Sequence, residues 1–131
     1  MKTLVTGGLG FVGSNLVDIL VDLGDEVFIL DDLSSESSFM ENHNQKANLI
    51  VGKVEDINKY FVGYKFDRIF HLAAQAYVRR SVRNPLESIS TNVVGTANVM
   101  ISSLTSESVL GLTIVTTDKV YENLGENQAL H

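Results

Sequence analysis

The chain has 131 residues, 10 of them basic and 16 acidic for a net charge of −6, with 44% apolar and 20% charged side chains. That acidity argues against nucleic acid or an anionic membrane as a partner, and the lack of cysteine excludes a disulfide framework, a thiol nucleophile and a cysteine metal site. Met1 to Leu9 lacks the basic flank and cleavage site of a signal peptide, and no run approaches the roughly 18–20 apolar residues that span a bilayer, so the expectation is one cytoplasmic, soluble domain with its own core.

Lys2 to Thr6 (KTLVT) is rich in β-branched residues and stops at Gly7-Gly8, which predicts a buried strand. From Phe11 the period becomes helical: Val12, Leu16, Ile19, Leu20 and Leu23 recur on one face, and Gly24 is a natural stop. Glu26 to Leu30 predicts a second strand, ended by Asp31-Asp32. The serine-rich stretch from Ser34 to Asn48 reads as a loop with room for a short helix. Asn48 to Gly52 predicts a third strand, Asp56 to Val62 a short helix and Asp67 to Ala73 a fourth strand. Pro85 sits at the start of a long helix, where its missing N–H costs nothing. Leu86, Ile89, Val93, Ala97, Met100 and Leu104 form a stripe on that helix, widened by Val94 and Ile101, so its apolar arc should pack on the sheet and on something else. Val109 to Thr116 predicts a fifth strand, followed by a polar tail to His131. Strands alternating with helices imply an α/β domain, a doubly wound parallel sheet of the Rossmann type with about five strands in the order 3-2-1-4-5. Its ligand crevice should lie at the carboxyl ends of the strands, where the order reverses.

Gly7, Gly10 and Gly13 form G-x-x-G-x-x-G between the first predicted strand and helix. Glycine there permits a tight turn, lets a pyrophosphate approach the positive helix N-terminus and lets helix and strand pack closely. Asp31 follows 18 residues after Gly13, near the spacing of about 20 expected for the acid that holds an adenosine ribose; Asp32 stands beside it. A tight turn without ligand and a pair of strand-capping turn formers are the plainer alternatives. A carboxylate at Asp31 accepts from the ribose hydroxyls and repels a 2′-phosphate, and no Lys or Arg occurs between Asp31 and Lys46 to offset it. NAD is favoured over NADP. His71-Leu72-Ala73-Ala74-Gln75 ends the fourth strand beside the crevice, where small residues let a flat group lie against the backbone. His71, inside an apolar strand, reads as a structural histidine rather than a base or ligand. With only His43 and His131 besides, no metal site is expected. Thr116 to Tyr121 (TTDKVY) ends the fifth strand; its hydroxyl, carboxylate and ammonium suit acid–base chemistry or an ordinary polar strand end. Arg79, Arg80 and Arg83 suit either a substrate diphosphate or a solvated helix face.

TGGLGFVG, LDDLSS, FHLAAQAYVRRS, NVVGTAN and TTDKVYEN, in that order, resemble the extended short-chain dehydrogenases/reductases, with nucleotide-sugar 4-epimerases and 4,6-dehydratases the nearest members. The resemblance implies that Phe11 and Val12 lie along the pyrophosphate and that Leu72, Ala73, Ala74, Gln75 and Asn92 contact the cofactor. It makes Thr117 the hydroxyl that bonds the sugar 4-hydroxyl, with Asp118 and Lys119 beside it as further acid–base groups. Where relatives place an adenine-contacting acid, this chain reads Gly52-Lys53-Val54, so Val54 is the expected contact. The family's YxxxK couple has no match, because none of Tyr60, Tyr64, Tyr77 and Tyr121 is followed by Lys four positions on. The expectation is therefore the NAD-binding part, residues 1–131, of a larger homo-oligomeric enzyme that oxidises C4 of a nucleotide sugar, with this chain inactive alone. A free-standing dinucleotide-binding module is the alternative. TTDKVYEN most resembles CDP-glucose 4,6-dehydratases, whereas LDDLSS and AYVRRSVRNP are at least as similar to UDP-glucose 4-epimerases; the tail motif tilts the expectation toward the dehydratase.

Overall fold

A computed structural model describes residues 1–35 and 38–117. Five strands, β1 (Lys2–Thr6), β2 (Glu26–Asp31), β3 (Asn48–Val51), β4 (Arg68–His71) and β5 (Gly111–Ile114), form one sheet in the order β3-β2-β1-β4-β5, with every pairing parallel. The order and the parallel pairing agree with the doubly wound expectation. Strand alternation splits the core into two layers. Leu4, Phe28, Leu30 and Ile69 face one side with Val54, Ile57, Phe66 and Val99. Val5, Val27 and Ile29 face the other with Leu9, Val17 and Leu20. Because both faces are buried, these strands read as unbroken apolar runs rather than as alternating ones.

Helix α1 (Phe11–Asp22) carries Val17 and Leu20 into the second layer, and its chain reverses after Leu23, where the Asp25 N–H returns to the Leu20 carbonyl at 3.0 Å. The short helix expected at Asp56 to Val62 is a 3-10 turn (Val54–Asp56) followed by α2 (Asn58–Gly63). The serine-rich stretch holds one 3-10 turn, Met40–Asn42.

The long helix expected from Pro85 is corrected in form. A separate α3 (Val78–Arg83) comes first, Asn84 breaks it, and α4 (Pro85–Ile89) runs through a π-helical turn (Ser90–Gly95) into α5 (Thr96–Thr105). Glu55 accepts hydrogen bonds from the Ser90 and Thr91 hydroxyls at 3.0 and 3.1 Å within the π turn. The Asn98 amide donates to the Glu55 carbonyl at 2.6 Å from α5. Strand β4 also stops at His71, short of the expected Ala73, since the Ala73 N–H bonds a side chain, Thr6 Oγ1, at 3.2 Å.

At the amino edge of the sheet, Asp25 accepts from Thr3 Oγ1 and Arg68 Nη2, both at 2.6 Å, and from the chain's α-amino group at 3.2 Å. The Thr3 hydroxyl, then Arg68 and the amine, hold its carboxyl below the usual range against the opposing effect of burial. This cluster ties β1, β2 and β4 at the edge away from the crevice.

Ile69 is fully buried at the centre of β4. Ile69→Ala should lower stability by about 2–5 kcal/mol, read as a lower urea midpoint with an unchanged slope.

Candidate functional site

The sheet order reverses between β1 and β4, and a cavity of about 380 Å³ opens there at their carboxyl ends. Its wall includes Gly7, Gly10, Phe11, Val12 and Gly13 from the turn into α1, and Asp31, Asp32, Ser34 and Ser38 from the end of β2 and its loop. Gly52 and Val54 come from beyond β3, and Leu72 to Gln75 from beyond β4.

Glycine is required at two points of the turn. Gly7 has φ +69, and a Cβ on it would lie 2.8 Å from the Ala73 nitrogen; one on Gly13 would lie 2.1 Å from the Gly7 carbonyl oxygen. Both clashes are with backbone, which cannot rotate away. The turn is thus a cradle whose floor is main chain. Helix α1 opens at Gly10 without a side-chain cap, and the first-turn N–H groups have no acceptor within the helix. Those donors and the positive helix end suit a pyrophosphate. Phe11 and Val12 stay exposed over the cradle, at 78% and 61%.

Asp31 is only 5% exposed, yet it lies on the cavity wall. Its carboxylate accepts from the Leu9 N–H at 3.1 Å and the Leu33 N–H at 3.0 Å. Leu33 has φ +60, a left-handed conformation that costs a non-glycine residue roughly 1–2 kcal/mol. The strain turns its N–H onto the acid. Nothing in the local sequence marked Leu33 for this role.

Of the other residues expected here, Asn92 is not on the wall; its amide takes the Gln75 N–H at 2.7 Å and donates to the Gln75 carbonyl at 3.0 Å, so it acts on the wall through Gln75. Thr117 is exposed just past β5 and is also not on the wall. Asp118 and Lys119 lie outside the described residues. Among the described residues no cluster of His, Cys, Asp and Glu is fit to hold a metal ion.

His71 is 2% exposed and bonds the Thr6 hydroxyl through Nδ1 at 2.7 Å and the Thr96 hydroxyl through Nε2 at 2.9 Å. Thr6 Oγ1 also accepts from the Ala73 N–H, so the imidazole and the two threonine hydroxyls tie β1, β4 and α5 to the start of the wall segment. The ring is a neutral strut beneath the Leu72–Gln75 wall of the cavity. Arg80, one of the three arginines after β4, pairs with Glu87 at 2.5 Å and reaches the Ser34 carbonyl, whereas Arg79 and Arg83 are exposed.

This is a dinucleotide-binding type of α/β fold, with glycine turn, helix N-terminus and buried acid converging on one crevice. A family model described as GDP-mannose 4,6 dehydratase matches residues 4–129. The UDP-glucose 4-epimerase of Mycolicibacterium smegmatis is 41% identical over 104 residues, covering 76% of this chain and 33% of the relative. Among solved structures, the UDP-glucose 4-epimerase of Thermotoga maritima with UDP-glucose has a TM-score of 0.86 at 35% identity, over 99% of this chain and 41% of that one. The Thermus thermophilus UDP-glucose 4-epimerase in complex with NAD has a TM-score of 0.70 at 32% identity, over 78% of this chain and 33% of that one. The chain belongs to the extended short-chain dehydrogenase/reductase family of nucleotide-sugar epimerases and dehydratases. It spans about a third of the Mycolicibacterium relative's length.

Burial holds His71 below its ordinary 6.5, so the unfolded chain binds the proton first. The stability this contributes is present above pH 6.5 and is lost as pH falls from there toward the lowered folded value. Wild type should lose up to about 1.4 kcal/mol per pH unit in that window. In denaturant titrations at successive pH values, His71→Gln should be less stable throughout and lack that slope.

Proposed function

We propose that residues 1–131 form an NAD-binding domain and supply the cofactor site of an enzyme that oxidises the C4 hydroxyl of a nucleotide sugar. The observation that carries the reading is the buried Asp31 carboxylate, held by two backbone N–H groups on the same wall as the glycine cradle. A carboxylate so oriented accepts from vicinal ribose hydroxyls, and the cradle meets a pyrophosphate with main chain alone. The Thermus relative solved with NAD supports the cofactor. NAD, when bound, supplies the hydride acceptor.

The chain's own residues bind and orient. Phe11 and Val12 cover the pyrophosphate, Val54 backs the adenine, and Leu72 to Gln75 offer a flat wall to the nicotinamide side, stiffened from behind by Asn92 and His71. Thr117 at the end of β5 takes the sugar's 4-hydroxyl, with Asp118 and Lys119 next in the chain. No tyrosine here has the YxxxK spacing, so the base for that hydroxyl comes from elsewhere and this chain alone turns over no sugar. Once C4 is oxidised, dehydration and epimerisation diverge. The tail motif favours a dehydratase, but the 41%-identical Mycolicibacterium relative and the Thermotoga neighbour solved with UDP-glucose both carry the epimerase name, and we take 4-epimerisation as the better reading. A cytoplasmic location fits a nucleotide-sugar substrate.

Oligomerisation is part of the proposal. Leu86, Ile89, Val93, Ile101 and Leu104 are 53–82% exposed along α4, the π turn and α5, an apolar stripe that a second copy can cover. Sedimentation velocity should show concentration-dependent dimers, and Leu104→Glu should shift them to monomer.

The cofactor reading is tested by NADH fluorescence titration of the chain. NADH should bind, and Asp31→Ala should weaken it by about 1.5–3 kcal/mol, or roughly 10- to 150-fold in Kd. A wild-type chain that does not bind NADH would overturn the proposal.

A further inference from the structure

Asp31 and Asp32 keep out a 2′-phosphate only while no cation offsets them, and the sequence from Asp31 to Lys46 contains none. The fold brings one in from another element. Arg80 on α3 lines the same cavity as Asp31, Asp32 and Ser34 and donates through Nη1 to the Ser34 carbonyl, two residues past Asp32. An arginine beside the ribose is the feature that accommodates a 2′-phosphate, and its planar fork suits phosphate well.

Glu87 occupies that fork. Its Oε1 and Oε2 accept from Arg80 Nη2 at 2.5 Å and Nε at 3.3 Å, a side-on bidentate pair across the Asn84 break between α3 and α4. Arg80 holds the Glu87 carboxyl below its ordinary range, while the nearby Asp32 carboxylate acts in the opposite direction. The two acids therefore share one electrostatic neighbourhood. Among the described residues on the cavity wall, three carboxylates (Asp31, Asp32, Glu87) stand against one guanidinium.

Resting on the NAD reading above, we propose that Glu87 is a specificity-determining residue: it engages Arg80 and so keeps the ribose end of the crevice closed to the 2′-phosphate of NADP. Selectivity then has two parts. Asp31 recognises the ribose hydroxyls directly. Glu87 offsets Arg80, the one cation among the described residues of the wall, which would otherwise reward the extra phosphate. Removing the Glu87 charge leaves the Asp31 contacts in place and turns the Arg80 fork toward the cavity.

The test is the ratio of NADPH to NADH dissociation constants, from fluorescence titration of the 131-residue chain. Wild type should bind NADH and prefer it over NADPH. Glu87→Gln, which keeps the size and loses the charge, should lower the ratio by about tenfold or more, chiefly by tightening NADPH. Glu87→Ala is read in parallel, with circular dichroism reporting the fold of each variant. Adding Arg80→Met to either should return the ratio toward wild type, because the gain runs through that guanidinium. NADH binding with a ratio unchanged in both Glu87 variants overturns this inference and leaves the NAD reading standing. A gain that survives Arg80→Met overturns it too, and a wild-type chain that binds no NADH removes both.

Discussion

The crevice depends on how closely two backbones approach where β1 gives way to α1. Gly7 lies so near Ala73 that a Cβ would sit 2.8 Å from its nitrogen, and Gly13 so near Gly7 that a Cβ would meet the carbonyl oxygen at 2.1 Å. The same turn reaches sideways: the Gly7 N–H bonds the Leu30 carbonyl at 2.8 Å, and the Leu9 N–H bonds the Asp31 carboxylate. A side chain at Gly7 or Gly13 would therefore disturb three things together: the strand–helix turn, the seat of α1 on the sheet and the aim of the acid. Turn, helix N-terminus and Asp31 form one mechanical unit.

The other wall is held differently. Leu72 to Gln75 leave the sheet after β4 and would be a loose loop without side-chain support. Thr6 accepts the Ala73 N–H, and the His71 ring bridges the Thr6 and Thr96 hydroxyls. Asn92 clasps both backbone groups of Gln75. Asn92 stands within the π turn and Thr96 on the helix after it, so the extra residue per turn sets where both residues face. π turns are rare and commonly sit at functional sites; here the widened turn is also secured by the Ser90 and Thr91 bonds to Glu55. Every link in this wall is uncharged, which suits the flat aromatic ring that the proposed reading places against it.

The strands were legible because both their faces are buried, and Leu4-Val5, Phe28-Ile29 and Ile69-Phe70 each split between the two core layers. The glycine turn and Asp31 were legible because their spacing is set by the same geometry that makes them useful. The helices after β4 were less so. A 3.6-residue stripe from Leu86 to Leu104 cannot show that the chain changes pitch at Ser90, since a π turn shifts the phase without altering which residue types appear. Arg80 and Glu87 are seven residues apart and meet only because Asn84 breaks the helix between them, so neither the i,i+4 rule nor the charge run pointed to the pair. Leu33 gave no sign either, for its role rests on a backbone angle that leucine seldom adopts. The catalytic reading of Asp118 and Lys119 remains one of sequence, as they lie outside the described residues.

The distribution of charge gives the crevice its logic. The chain is acidic overall, yet the ligand proposed for its cradle carries two phosphates. On the described part of the wall the only cation is Arg80, and it is engaged by Glu87. The negative charge of a pyrophosphate must then be met at the other end, by the neutral N–H groups and the dipole of α1, which act over about one turn. On the proposed reading, anion attraction is thus confined to the glycine cradle, while Asp31, Asp32 and Glu87 make the other end of the cavity hostile to any further anion. A surface cation would have attracted phosphates indiscriminately through solvent. A helix N-terminus attracts one only where it touches, and so, on the proposed reading, an acidic protein binds a dinucleotide while rejecting the same molecule with one phosphate more.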